Sequence, residues 1–180
     1  MTAVTFLGAS GGVGTTTLAA ISVHLLAAHS IRLPSVIAED TVAFDQRSGL
    51  ALAPAPAGGH ELVDGGRYDE HKAAAALTRG YLVLVGAQSP AGITAQDATL
   101  ADITTRFGAA VGPRIVPVLS AAHGRRRAVH DTPVQMRLPF DTALAAGGPL
   151  TLAMPRLHTR TRAALAQRWT RWVLETYALH

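Results

Sequence analysis

The sequence predicts an α/β domain: a mostly parallel sheet with helices on both faces. A short apolar run, Val4 to Gly8, passes through a glycine loop into a helical stretch, Thr15 to Ala28, in the order of a βα unit. Further strand and helix candidates alternate along the chain, as the crossovers between parallel strands require. The composition is also unusually apolar, with 48% hydrophobic residues, which suits strands buried on both faces that need not alternate with polar positions. A chain of 180 residues can build one domain with a sizeable core, here expected to span residues 1–180, and leaves little room for a second.

Each element has its own signal. Val4 to Gly8 is uninterrupted in apolar character and is expected as an internal strand. Leu18, Ile21, Leu25 and Ala28 recur at helical spacing in the helix that follows. Strands are expected at Ser35 to Ala38, Glu61 to Val63, Tyr81 to Val85 and Arg114 to Leu119, with Val134 to Leu138 as a last one. Helices are expected at Glu70 to Thr78 and at Thr94 to Phe107, the latter opened by the capping-box-like pair Thr94 and Asp97. A short helix is read at Asp141 to Ala146. The closing helix, Leu157 to Leu179, carries Leu165, Trp169, Trp172 and Val173 near helical spacing. It is expected to be a core helix packed on the sheet, the alternative being a basic amphipathic helix lying on a membrane. Residues 46–59 hold Pro54, Pro56, Gly58 and Gly59 and read as a loop within the domain.

Charge is uneven along the chain. Residues 1–122 hold six Arg, one Lys and nine acids, a net of −2, whereas residues 123–180 hold nine Arg and three acids, a net of +6. Such asymmetry points to non-specific contact with DNA or another acidic surface through the Arg-rich C-terminal third, or to arginines on solvated helix faces. With no cysteine there are no disulfides or thiolate metal sites, which fits a cytoplasmic setting. The eight histidines are scattered without ligand spacing. The N-terminus lacks a basic segment of the signal-peptide kind, and Leu18 to Ala28 is too short to span a bilayer.

The chemistry lies in Ala9-Ser10-Gly11-Gly12-Val13-Gly14-Thr15-Thr16-Thr17. A glycine loop opening a helix converges backbone N–H groups on phosphates, while a lysine neutralises their charge and a hydroxyl takes Mg²⁺. Here the glycines and hydroxyls are present, and Thr15 stands where the lysine belongs. The run resembles the deviant Walker A loop of the ParA/MinD-type P-loop ATPases, KGGVGKTT followed by an apolar helix. That family carries two lysines, and this chain has Ser10 and Thr15 in their places. The resemblance implies that Gly11, Gly12, Val13, Gly14, Thr15, Thr16 and Thr17 line the phosphates of ATP or ADP, with Mg²⁺ on Thr16.

Later segments are similar to the family in order and spacing. Glu61-Leu62-Val63-Asp64-Gly65-Gly66 resembles its Walker B strand, which implies Asp64 near the metal. Tyr81 to Val85 with Ser89-Pro90, and Leu138-Pro139-Phe140-Asp141 with Gly148-Pro149-Leu150, resemble its later segments. The catalytic acid that helps position the attacking water is expected at Asp40, with Asp45 a close rival. Ser120 stands at the family's usual base-contacting Asn.

A replacement cation is hard to find in the sequence. Lys72, the only lysine, is not expected to reach the loop, which leaves Arg125-Arg126-Arg127 as the arginine candidate. The resemblance therefore implies a degenerate member that binds Mg²⁺-nucleotide weakly, hydrolyses it slowly or not at all, and positions or partitions DNA or a pilus or secretion machine. A homodimer would not close as a tight nucleotide sandwich, because Ser10 cannot reach a partner's phosphates. The location implied is cytoplasmic, with a peripheral membrane or nucleoid association open. The alternative is a pseudo-ATPase interaction module that binds no nucleotide.

Overall fold

A computed structural model of the chain describes residues 2–51, 59–121, 134 and 136–178. In chain order the first half comprises β1 (Ala3–Gly8), α1 (Thr15–Ala28), β2 (Ser35–Ala38), α2 (Thr41–Ser48), β3 (Glu61–Arg67), α3 (Glu70–Arg79) and β4 (Gly80–Ala87). Then follow α4 (Pro90–Phe107), β5 (Ile115–Ser120), β6 (Met136–Leu138), α5 (Thr142–Ala145), α6 (Leu150–Ala153), α7 (Thr159–Ala164) and α8 (Thr170–Ala178). The strands form one six-stranded sheet in the order β2-β3-β1-β4-β5-β6, and all five pairings are parallel. β1 is internal, as its apolar run requires, and every one of its residues is buried.

Alternation along the strands splits the core into two layers. Phe6, Val83 and Val85 face α1 and the closing helix, whereas Leu7, Leu82 and Leu84 face α3 and α4. Trp169 is fully buried against the first layer, edge-on to Phe6 with centroids 6.2 Å apart. Its indole N–H donates to Ser22 Oγ at 3.1 Å, and that hydroxyl donates to Leu18 O at 2.9 Å. A buried tryptophan needs such a partner for its one polar atom. The closing segment is thus a core helix, while Arg156, Arg160, Arg162, Arg168 and Arg171 stay exposed. No described helix is long and apolar enough to cross a membrane.

The structure corrects several boundaries. Residues 46–48, read as the start of a loop, belong to α2, a helix absent from the sequence reading. α4 begins at Pro90, capped by Ser89 Oγ accepting from Gly92 N at 3.1 Å, so Thr94 and Asp97 lie inside the helix and cap nothing. β3 runs on to Arg67 and carries Asp64 within the strand. The closing helix starts at Thr159 and contains a π turn, Leu165–Trp169. Arg125-Arg126-Arg127 and residues 52–58 lie outside the described residues, as does part of the expected strand Val134 to Leu138.

Candidate functional site

The loop between β1 and α1 is shaped by its glycines. Gly12 and Gly14 have φ of 70° and 86°, a left-handed backbone that side chains resist. At Gly8 a Cβ would lie 2.8 Å from Val13 Cγ2 and 2.9 Å from Thr15 Oγ1, so the turn closes only over glycine. Ala9 N donates to Val85 O at 2.8 Å, which ties the loop to β4. Gly14 caps α1 without a side chain, so the first-turn N–H groups, which lack intrahelical partners, remain open to an anion. Thr15 is buried beneath the loop.

The two next hydroxyls turn to different partners. The Thr16 hydroxyl and the Gly66 amide face the Asp64 carboxylate and favour its ionised form. Asp64 sits on β3 opposite Phe6 of β1 and is only 3% exposed, yet its Oδ1 has no hydrogen-bond partner. Burial, reinforced by the charges of Glu39 and Asp40, raises its pKa above the ordinary carboxylate value despite the neighbouring Thr16 hydroxyl and Gly66 amide. An orphaned, buried carboxylate oxygen beside a threonine hydroxyl has the hard-oxygen chemistry Mg²⁺ takes.

Asp40 follows β2 and caps α2, its Oδ1 accepting from Ala43 N at 2.9 Å. Asp45 is exposed further along that helix. Glu39 accepts from Lys72 Nζ at 3.0 Å, and the same ammonium donates to Gly65 O at 2.8 Å. Ser120, at the end of β5, is buried with an unpartnered Oγ.

Thr17 turns the other way, toward Arg47. The guanidinium donates from Nε to Thr17 Oγ1 at 3.0 Å, from Nη1 to Gly148 O at 2.8 Å and from Nη2 to Leu144 O at 2.7 Å. Above the loop lies a cavity of about 410 Å³, lined by Ser10 through Thr17, Arg47, Gly66, Arg67, Leu144, Ala145 and Gly147. A glycine loop after the first, internal strand, opening into a cavity at the carboxyl ends of a parallel sheet, is an arrangement suited to an anionic ligand, and comparison with solved structures decides which fold carries it. The fold is that of the ParA and MinD ATPases.

Comparison with solved structures bears this out. A ParA family ATPase from Chlorobium tepidum TLS superposes with a TM-score of 0.65 at 17% identity, over 96% of this chain and 98% of that one. MinD in the MinC:MinD cell division complex of Aquifex aeolicus gives 0.63 at 11% identity, over 99% and 95%. The Pyrococcus furiosus cell division ATPase MinD gives 0.60 at 14% identity, over 99% of both chains. No protein-family model and no curated protein sequence matches the chain. At such identities the likeness carries the ParA/MinD fold alone.

On this ParA/MinD fold, Gly11 to Thr17 line one cavity, Asp64 meets Thr16 behind it, and Asp40 stands near Asp64. Lys72 is absent from the lining, as expected. Among the described residues the arginines that line the cavity are Arg47 and Arg67, neither of which the sequence reading offered as the replacement cation. Arg47 sits in the last turn of α2, between the cap residues Asp40 and Gly49, and Arg67 is the last residue of β3; no motif of the sequence singles out either.

Proposed function

We propose that this chain is a ParA/MinD-type nucleotide-binding protein that holds Mg²⁺–ATP or Mg²⁺–ADP on the loop from Gly11 to Thr17 and turns ATP over slowly or not at all. The observation that carries the reading is Asp64: a buried carboxylate with an unpartnered oxygen, beside the Thr16 hydroxyl and behind a glycine-loop cavity. Leaving such an atom unsatisfied costs stability, and a cation on Thr16 and Asp64 would relieve that cost. When bound, Mg²⁺ supplies neutralisation of phosphate charge. The N–H groups of the first turn of α1 would orient the phosphates, and Asp40, which follows β2 and caps α2, is the proposed acid for the attacking water.

Slow turnover follows from the charge supply. Cationic stabilisation of phosphoryl transfer is worth about 10³–10⁵ in rate, and neither Ser10 nor Thr15 provides it. Arg47 is anchored to Thr17 and to the Gly148 and Leu144 carbonyls, a placement read here as holding an anion and not as stabilising its transfer. On this reading residues 1–180 act as one unit, and any homodimer is not a closed nucleotide sandwich. The cellular role proposed is positioning or partitioning of DNA or of a pilus or secretion machine. The fold likeness and the exposed arginines of the C-terminal third support it, and binding of duplex DNA there should be non-specific and fall steeply with salt.

The test is calorimetric titration of ATP and ADP, with and without Mg²⁺, into wild type and Thr16→Ala. Mg²⁺-dependent binding that Thr16→Ala loses is the expected result. No binding at millimolar nucleotide would leave the interaction-module reading instead.

A further inference from the structure

We infer that Arg47 is the phosphate-binding cation of this site, carried in by helix α2 to take over the charge that Ser10 and Thr15 do not supply; the inference rests on the nucleotide reading above. The guanidinium lines the same cavity as the glycine loop and is anchored to the loop's own helix through Thr17. Three of its five N–H groups are engaged, by Thr17, Leu144 and Gly148. Two therefore remain for an anion. No carboxylate pairs with it among the described residues: Thr17 offers a hydroxyl, and Leu144 and Gly148 offer carbonyls. Its charge is held in place without being neutralised. Burial also lowers its pKa somewhat, although an arginine stays charged at any physiological pH.

The fold builds this placement. Asp40 caps the start of α2, and Gly49, with φ 65°, ends it one residue after Ser48. A Cβ on Gly49 would lie 2.6 Å from Pro149 Cβ, so only glycine lets the helix end sit against the segment that follows β6. Gly147 and Gly148, both left-handed at φ 74° and 72°, turn that segment so that the Leu144 and Gly148 carbonyls meet the guanidinium. Arg47 is thus delivered from outside the loop, where the motif lysine comes from within it. Because its anchor is Thr17, and Thr16 is given to Asp64, its charge serves binding of the nucleotide's phosphates in general. ADP and ATP should depend on it alike.

The alternative is that Arg47 only straps α1, α2 and the segment at residues 144–148 together, and the experiment separates the two. Mg²⁺–ADP and Mg²⁺–ATP are titrated into wild type, Arg47→Gln, Arg47→Lys, and Arg47→Gln combined with Thr15→Lys, with thermal midpoints measured for each. Arg47→Gln should weaken both nucleotides about 10–100-fold, the range of one lost charge-assisted contact, and should lower the thermal midpoint through loss of its three anchoring bonds. Arg47→Lys keeps the charge but not the three-way anchor, so it should stay within about tenfold of wild type. It should nonetheless share the lowered thermal midpoint. Thr15→Lys should restore affinity to the Arg47→Gln protein without restoring its thermal midpoint. Unchanged affinity in Arg47→Gln would overturn the inference and leave the nucleotide reading standing. Affinity falling together with thermal midpoint in both Arg47→Gln and Arg47→Lys, with no recovery from Thr15→Lys, would show a strap alone. Wild type that binds neither nucleotide would sink both.

Discussion

The two sides of the glycine loop have been built by different means. On one side Thr16 and Asp64 lie on adjacent strand–loop units, β1–α1 and β3, and pair across the sheet in the order the motif implies. On the other side Thr17 meets Arg47, 30 positions away in sequence, on a helix that no motif announces. The acid-and-hydroxyl side has the order its sequence motif implies. The cationic side is assembled from a cap, a glycine and two backbone carbonyls. A glycine loop without a lysine can therefore still have a positive charge beside it, brought by a neighbouring element that lines the same cavity.

The largest effect available comes from giving the loop back its lysines. Ser10→Lys/Thr15→Lys should raise phosphate release from ATP well above background, by as much as ~10³-fold, in a steady-state phosphate assay. Release that stays at background would mean that the acid side has also been lost, and the comparison above would collapse. Robust hydrolysis already present in wild type and abolished by Thr16→Ala would break it from the opposite direction.

Next in size is a contrast between neighbours. Thr16→Ala should remove the Mg²⁺ dependence of nucleotide binding. Thr17→Ala should keep that dependence and lower affinity several-fold, on the order of one neutral hydrogen bond to Arg47. Equal effects from the two, in titrations with and without Mg²⁺, would show that the sides are not separate.

A third contrast uses two buried carboxylates with opposite shifts. Asp64 has a raised pKa, so its ionised form costs the folded protein stability above the ordinary carboxylate range. Asp64→Asn should stabilise the ligand-free protein by about 0.5–2 kcal/mol at neutral pH, while Mg²⁺–nucleotide affinity is lost. In wild type that affinity should fall as pH drops into the range between the ordinary and raised values, where protons compete for Asp64. Asp141 behaves in reverse. Burial alone would raise its pKa, but the nearby Thr161 side chain and the hydrogen bonds from His158 N and Ala143 N outweigh burial and hold it below the ordinary value. Its contribution is present above the unfolded pKa and is lost as pH falls through the folded one. By accepting from Ala143 N and from His158 N, each at 2.9 Å, it holds α5 and the approach to α7. Asp141→Ala should cost about 2 kcal/mol in denaturant unfolding.

The smallest effect is geometric. Gly49→Ala puts a side chain on a left-handed residue against Pro149 and should destabilise by more than about 1 kcal/mol. Nucleotide affinity should fall modestly as Arg47 shifts, and a fall in stability with no change in affinity would detach Arg47 from the site.

The sequence carried the sheet and the acid side well, for a physical reason. Strands buried on both faces read as nearly continuous apolar runs, such as Val4 to Leu7, interrupted only by Thr5, and Leu82 to Val85. The left-handed turns at Gly12 and Gly14 are written in the only residue that adopts them freely. Helix α2 was invisible because it buries only Phe44 and Ser48, too few positions to mark a helical period, and a proline-rich stretch follows it. The start of α4 was misplaced because Thr94 and Asp97 fit a capping pattern, although Ser89-Pro90 is the stronger signal, with a proline at the first helical position. Arg47 could not be found from spacing at all, since its partners are a distant hydroxyl and two carbonyls. Nor can a sequence show that one oxygen of Asp64 lacks a partner.

The hydrogen bond between Trp169 and Ser22 spans 147 positions, and Tyr177 Oη donates to Glu61 O across 116. Contacts this remote make late events of folding, because the intervening chain must give up its freedom before they form. The glycine loop, near the beginning of the chain, rests on a helix whose inner face stays open until the last segment arrives. During synthesis the emerging N-terminal half presents Phe6, Ile21 and Leu26 uncovered, a sticky surface exposed for as long as translation of the remainder takes. The helix beneath the glycine loop thus gains its full packing only when residues 157–178 close over it.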